Sequence, residues 1–480
     1  MSLRKKTLNG LIWTFSQQFG VQVISFFITI VLARILGPSE FGIIAMLSVF
    51  VAVGGLLVDG GLSSSLIRTG RANQKDYSTV FFFNLGGSLV IYALVYFLAP
   101  LISNFYKQEI LTSVLRIYSI VFIINAFYEI QNARLVKVMD FKTQALIQIP
   151  SVLTSGLIGI LLAINGFGVW SLVWMNISQS FLITVFHWVF SKWRPSLIFD
   201  SSCFKRHFHF GYKMTLSGLL EIIYKNIYVL IIGKNYSAAQ LGYYSRADSI
   251  SQLPTNNIFN AINSVTYPMF ASISEDNIRL KMVYKKLVQQ VLFWNASILI
   301  LLVVLAEPLF RFLLTEKWLP AVPYFQILCL AGILYPLHAY NHNILKVKGR
   351  SDLILKIEIV KKTIAVISIL LIIPFGIFGL LYFQLAFSIF SCFINSYYSG
   401  ILINYPIKEQ LADIFPAISL SILIGLICFF MDMFLKPYIH FSDLERLIIN
   451  SLLYYILYMS SSYFMQFTAI SDFKQLILKR

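Results

Sequence analysis

Glu221 and Lys225 lie four residues apart in an apolar stretch, and Arg246 and Asp248 open the next one. At helical spacing Glu221 and Lys225 share one face, with the glutamate nearer the N-terminus as a helical ion pair prefers. Asn226 adjoins them. Ionisable groups inside a membrane span are costly and are functional candidates by default. Two chemistries fit these four. Lys225 and Arg246 can form a cation pair for an anion, held and tuned by the two carboxylates; or the four make two structural ion pairs that lock a helix hairpin.

Other polar groups fall inside apolar runs. Glu358, Lys361 and Lys362 form a charged patch, with Glu358 and Lys362 again at i,i+4 spacing; they offer an ion-binding carboxylate or a headgroup contact. Gln18 and Gln22 share a helical face, placed either to line a cavity or, with Gln17, to hydrogen-bond between helices. Arg34, near the end of the same run, is a cavity cation or a snorkelling group. Asp59 and Arg68 flank the second run as gate or fold residues, and Glu129 is placed to pair with Arg134. Tyr224, Tyr228, Tyr243 and Tyr244 lie near the charged cluster, where rings can stack on a ligand. His338 and His342 are four apart but lack a third ligand at suitable spacing, so they read as packing residues. Neither a catalytic constellation nor a metal-ligand set is expected.

The elements that must hold these residues are membrane helices. Of 480 residues, 58% are hydrophobic and 12% charged, with a mean hydropathy of +0.75; ordinary domains carry about 25% charged residues. A helix needs about 20 apolar residues to cross hydrocarbon, and about fourteen such runs occur. They are expected near residues 11–36, 41–58, 77–99, 113–131, 145–164 and 169–190; then 211–232, 241–270, 287–305, 324–345, 353–373 and 377–402; and finally 414–434 and 447–467. Arg4-Lys5-Lys6 before Leu11 imitates a secretory signal, but the run to Leu36 exceeds a signal core and reads as a retained span. Cys203, Cys329, Cys392 and Cys428 show no CxxC spacing and read as buried apolar residues.

The net charge of +17 does not indicate nucleic acid, because the cations lie in short loops between apolar runs. With the N-terminus inside, alternate loops collect Arg68/Arg71/Lys75, Arg134/Lys137/Lys142, Arg279/Lys281/Lys285/Lys286 and Lys346/Lys348/Arg350/Lys356. The positive-inside rule then places both termini in the cytoplasm. A polar, basic seam at 191–211 separates the sixth and seventh runs and reads as a linker.

Either side of the seam the sequence repeats. Glu40-Phe41-Gly42 and Gln240-Leu241-Gly242 each follow a glycine-containing turn and open a span, at an offset of 200 residues. Six spans per copy is an even number, so both copies share one orientation, as in transporters that rock about a midplane site. The expected fold is an all-α polytopic membrane protein of about 14 helices. Residues 1–200 form one six-helix lobe, 201–402 a pseudo-symmetric second, and 403–480 two further C-terminal helices.

Leu32-Ala33-Arg34-Ile35-Leu36-Gly37-Pro38-Ser39-Glu40-Phe41-Gly42, Asp59-Gly60-Gly61-Leu62 through Ser65-Leu66-Ile67-Arg68, Trp193-Arg194-Pro195 and Phe208-His209-Phe210-Gly211 resemble the polysaccharide-exporter branch of the multidrug/oligosaccharidyl-lipid/polysaccharide flippases. The resemblance covers nearly the whole chain. It implies a V-shaped fold of two lobes in the bacterial cytoplasmic (inner) membrane and movement of undecaprenyl-diphosphate-linked oligosaccharide between leaflets. Under it, Lys225 and Arg246 would meet the diphosphate, with Gln18, Gln22 and Arg34 on the opposite wall. The partners implied are the polyprenyl-diphosphate-linked sugar, membrane lipids and other polysaccharide-assembly proteins, with no nucleic acid. No GxxxxGK[ST] motif occurs, so no nucleotide or other cofactor is expected; H⁺, Na⁺ or the membrane potential would drive the cycle. A cation-coupled multidrug antiporter of the same superfamily would want a more acidic pocket. A membrane glycosyltransferase or polymerase acting on the same lipid would want a sizeable catalytic loop, and every loop here is short.

Overall fold

The computed structural model describes residues 3–70, 72–436, 438, 441–467 and 469–470, with backbone alone over 3–12 and 256–265. Among the described residues all regular structure is helical. Among the described residues, ten stretches are long and apolar enough to cross a membrane, or eleven when a bent helix pair counts as one span. The chain divides into two compact units, Met1–Gly242 and Tyr243–Arg480.

The first unit contains α1 (Leu3–Ile35), α2 (Pro38–Asp59), α3 (Leu62–Arg68), α4 (Gln74–Tyr106), α5 (Ile110–Tyr118), α6 (Ile120–Lys137), α7 (Phe141–Ile164), α8 (Val169–Phe190), α9 (Ser201–Lys225) and α10 (Ile227–Asn235). Its last residues begin α11 (Ala238–Ser272). Helix α7 packs between α1 and α8, and α6 packs against α4 and α8. Boundaries follow the local chemistry. Pro38 sits at the first turn of α2, where its missing N–H costs nothing. Glu40 Oε2 accepts from the Gly37 N–H at 3.0 Å, and Gly60 ends the helix at φ 57°.

The repeated triplets prove to be one contact. Gly42 of α2 and Gly242 of α11 face each other so closely that a β-carbon on Gly42 would overlap the Ala238 carbonyl. One on Gly242 would overlap the Pro38 carbonyl. The reciprocity explains why both copies keep glycine: each lets the other helix's first turn approach backbone to backbone.

The seam is not a free linker. Residues 191–200 are extended, and α9 begins at Ser201, ten residues before the expected span. Asp200 caps it, accepting from the Ser202 and Cys203 N–H groups at 2.8 and 3.1 Å. Asp200 lies outside the spans, and its carboxyl is pulled down to about 2 by the Ser202 hydroxyl and those backbone donors. The extended segment docks on the start of α4: Ser196 N donates to Ser78 Oγ at 3.0 Å, Asp200 N to Thr79 Oγ1 at 3.0 Å, and Trp193 Nε1 to Gln74 Oε1 at 2.6 Å.

The second unit holds the rest of α11, then α12 (Asn277–Val304), α13 (Ala306–Leu314), α14 (Val322–Gly332), α15 (Tyr335–Val347), α16 (Ser351–Ile372), α17 (Gly376–Leu402), α18 (Ile407–Leu435) and α19 (Asp443–Phe464). Helix α12 packs on α18, and α17 on α14, α15 and α16. Its core gathers Phe270, Tyr284, Leu292, Tyr340 and Tyr405. Polar groups inside it are tied off: the Tyr284 and Ser399 hydroxyls both donate to Asn341 Oδ1 at 2.6 Å. The four cysteines are buried and unlinked.

Candidate functional site

Helix α9 carries Glu221 and Lys225 on its last turn and stops at Asn226, where the axis bends by 49° into α10. Asn226 is the hinge residue, its φ/ψ of −101°/11° outside the helical basin and its Nδ2 bonded to the Ile222 carbonyl at 2.8 Å. A continuous seventh span through residues 211–232 is therefore replaced by a broken one. Glu221 Oε1 and Lys225 Nζ pair at 2.7 Å, and both side chains stand on the surface, 59% and 69% exposed. Exposed ion pairs contribute about 0–1 kcal/mol, so this pair adds little to folding and keeps its charges accessible.

Arg246 and Asp248 lie on α11 in the second unit, both half-buried. Asp248 Oδ2 accepts from Gln252 Nε2 at 2.8 Å. Of the aromatic residues nearby, Tyr244 is buried and reaches Gln384 at 3.5 Å. Tyr243 donates to the Lys317 carbonyl at 3.3 Å and packs edge-on against Trp318. Both rings already have partners within the second unit. In α1, Gln18 and Arg34 are exposed, Gln22 is half-buried and Gln17 is buried.

Glu358 in α16 accepts from Lys361 Nζ at 2.6 Å and His342 Nε2 at 3.2 Å; Lys361 is buried and Lys362 half-buried. His338, one turn before His342, meets Asn395 at 3.3 Å. The sequence reads the two histidines as packing residues and does not show that His342 faces a carboxylate. The signal was their i,i+4 spacing on a helix followed by a second charged one.

A second centre joins α3, α4 and α9. Ser65 Oγ lies 2.8 Å from His207 Nδ1, and His207 Nε2 lies 3.2 Å from Asp76 Oδ1. The carboxylate only accepts, so Nε2–H donates to it and Nδ1 receives the serine hydroxyl. Hydrolases use the same residue types in the same order, but here Ser65, His207 and Asp76 are all buried. They bind helices together instead. Asp76 also closes the α4 capping box with Asn73 and receives Arg206. Around it, Gly61 and Gly211 pack backbone to backbone, and Arg68 lies 4.8 Å over the Phe210 ring. Residues that marked the family resemblance thus meet in one latch. Lys137 bonds to the Leu66 and Thr69 carbonyls, which ties the end of α6 to α3 beside the latch.

Asp76→Ala is expected to lower the melting temperature of the purified protein clearly. It removes the capping-box acceptor of the Asn73 N–H, while the Asn73 cap itself remains, and it leaves a buried imidazole without its acceptor, a loss of about 1–3 kcal/mol. Ser65→Ala should cost less. Melting of Asp76→Ala at the wild-type temperature would show that the latch carries no load.

Glu129 does not pair with Arg134. Arg134 lies over the Tyr77 and Trp193 rings at 5.2 and 5.4 Å, while Glu129 accepts from Asn84 Nδ2 of α4 at 3.3 Å. A cavity of about 290 Å³ in the second unit is lined by Arg311, Asp432, Lys436, Asp443 and Arg446. Its charges are matched internally: Arg311 to Asp443 and Glu307, Lys436 to Glu307, and Arg446 to Asp432.

The ten long apolar helices among the described residues define a multi-pass membrane protein. The profile of the family described as "Polysaccharide biosynthesis protein" matches residues 31–323, more than half of the chain, and the chain belongs to that family. The teichuronic acid biosynthesis protein TuaB of Bacillus subtilis (strain 168) is 28% identical over 358 residues, 73% of each chain. The lipopolysaccharide biosynthesis protein WzxC of Escherichia coli (strain K12) is 24% identical over 368 residues, 75% of this chain and 74% of that one. Among solved structures, the lipid II flippase MurJ in an inward closed conformation superposes with a TM-score of 0.69 at 16% identity, covering 95% of this chain and 99% of that one. The fold is therefore of the MurJ kind.

Proposed function

We propose that this chain is a flippase. It moves undecaprenyl-diphosphate-linked oligosaccharide repeat units, of the O-antigen, capsule or exopolysaccharide kind, from the cytoplasmic to the periplasmic leaflet of the bacterial inner membrane by alternating access. The observation that carries this reading is the family match over residues 31–323, which ties a polytopic fold to polysaccharide assembly. On this reading the chain is a transporter and not an enzyme.

The lengths of the helices support the proposed layout. The stretch Ser351–Leu402 is 52 residues long, about 78 Å as a helix at 1.5 Å per residue, so it makes two crossings. Adding that crossing, the bent α9–α10 pair and the more polar α11 and α19 to the ten stretches gives fourteen spans. In repeat terms the lobes are 1–200 and 201–402, with 403–480 appended and both termini cytoplasmic. The latch would then sit on the cytoplasmic side.

The lipid tail stays in the bilayer, but the headgroup must cross hydrocarbon, where each unsatisfied polar group costs several kcal/mol. Surface charges within a span, such as Glu221 and Lys225, face either lipid or a wet groove, and lipid is the costly choice. We assign Lys225 and Arg246 to the diphosphate, with Glu221 and Asp248 positioning them. Gln18, Gln22 and Arg34 line the groove, and Glu358, Lys361 and Lys362 form a second charged station that responds to a coupling ion. An anion leaving a negative interior gains about 2.3 kcal/mol per charge per 100 mV, enough to drive export without ATP.

The test is export in a strain dependent on this chain. Loss of the chain should stop surface polymer and cause lipid-linked repeat units to accumulate on the cytoplasmic side. Normal polymer without the chain would end the proposal.

A further inference from the structure

We propose that Glu129, with Asn84, is a proton-binding site in the first unit that couples proton movement to the transport cycle; this rests on the flippase reading above. Helix α6 places Glu129 against α4, where its Oε2 accepts from Asn84 Nδ2 at 3.3 Å. Asn84 is completely buried, and its Oδ1 has no hydrogen-bond partner. A buried carboxamide oxygen calls for a donor, and the carboxylic acid form of Glu129 is a donor within reach.

The pair accommodates both states. With Glu129 ionised, Asn84 turns its Nδ2–H to the carboxylate, as observed. When a proton joins Glu129 Oε2, the new O–H donates to Asn84 Oδ1 after the carboxamide rotates by half a turn. Release reverses the rotation and returns the proton to water. A metal cation would need more oxygen ligands than these two side chains supply, whereas a proton needs one.

Other charged groups around α6 leave Glu129 without a cation. From α2, the Asp59 carboxylate adds a second negative charge close by. From α8, His187 stacks on Tyr128 at 5.0 Å and bonds through Nδ1 to the Ile183 carbonyl. Arg68 of α3 lies over Phe210, and Arg116 of α5 over Tyr96. On α6 itself, Arg134 lies over Tyr77 and Lys137 bonds backbone carbonyls. Glu358 differs, because Lys361 and His342 neutralise it in place. A carboxylate with no counter-cation in a membrane interior takes up and releases protons more readily than one held in an ion pair.

The test has two arms on the full chain. Infrared difference spectra of the purified protein across a pH titration follow the carbonyl band of protonated carboxylic acids. Glu129→Gln is expected to lose one titrating band that Glu358→Gln keeps. Asn84→Leu, which keeps the acid but removes its amide, should shift that band. In a strain dependent on the chain, wild-type export should vary with external pH, and Glu129→Gln export should fall and no longer vary. An unchanged set of bands in Glu129→Gln, or export with the wild-type pH dependence, overturns the site. A wild-type chain that supports no export, with the Glu129 band present, overturns the flippase reading and leaves the proton site standing.

Discussion

Export of polymer is expected to stop when Lys225 and Arg246 are both replaced by alanine, with the protein still in the membrane at its normal level. On the proposed function the diphosphate would carry its charge through a low-dielectric groove, where ionic partners count for far more than in water. Truncating one partner of a buried, hydrogen-bonded charge pair costs about 2–5 kcal/mol. Each 1.4 kcal/mol is about tenfold, so removing two cations should reduce flux by about three decades or more. The Lys225 half of the change should barely alter stability, because the Lys225–Glu221 pair is mostly exposed and such pairs contribute little. Lys225→Ala also strands Glu221, so a second variant separates the two readings of this site. Glu221→Gln with Lys225→Gln keeps neutrality and removes the cation: export should stay lost if Lys225 meets the headgroup, and should return if the pair only locks the helix. Full export from Lys225→Ala/Arg246→Ala, measured as surface polymer per unit of membrane protein, would dismiss both cations as substrate ligands.

Gly42→Ala and Gly242→Ala should each prevent folded protein from accumulating. Propensity alone favours alanine in a helix by about 1 kcal/mol, so the sign depends on the space available. Here the new methyl overlaps a backbone carbonyl, of Ala238 in one case and Pro38 in the other. A side chain can change rotamer to relieve a clash, but a carbonyl in a helix's first turn moves only with its helix. Overpacking usually costs about 1–3 kcal/mol, and a clash against backbone belongs at the top of that range or beyond. Gly86→Ala provides the control, since a β-carbon there meets nothing within 4 Å; it should be neutral or slightly stabilising. Size-exclusion profiles and melting curves of the three variants decide the matter. If Gly42→Ala and Gly242→Ala melt like Gly86→Ala, the reciprocal contact is not tight in the folded protein.

The sequence by itself determined that the chain is built of membrane helices and belongs to the polysaccharide family, for a physical reason. Hydropathy is summed over about 20 residues, so it survives ignorance of every contact, and an ionisable residue in an apolar run announces itself. The glycine triplets at 42 and 242 were legible as a repeat, but their reciprocal contact was not, because backbone proximity leaves no trace in composition. Only tertiary structure decided partners. Glu129 had a cation five residues away in sequence, yet α4 supplies Asn84; His342 read as a packing residue, yet α16 brings it Glu358. The seam at 191–211 read as a linker from its polarity, but its hydrogen bonds to Gln74, Ser78 and Thr79 make it part of the first unit. Hydrogen bonds act over a few ångströms between residues that here lie from 16 to 121 positions apart, so the folded chain alone could assign them.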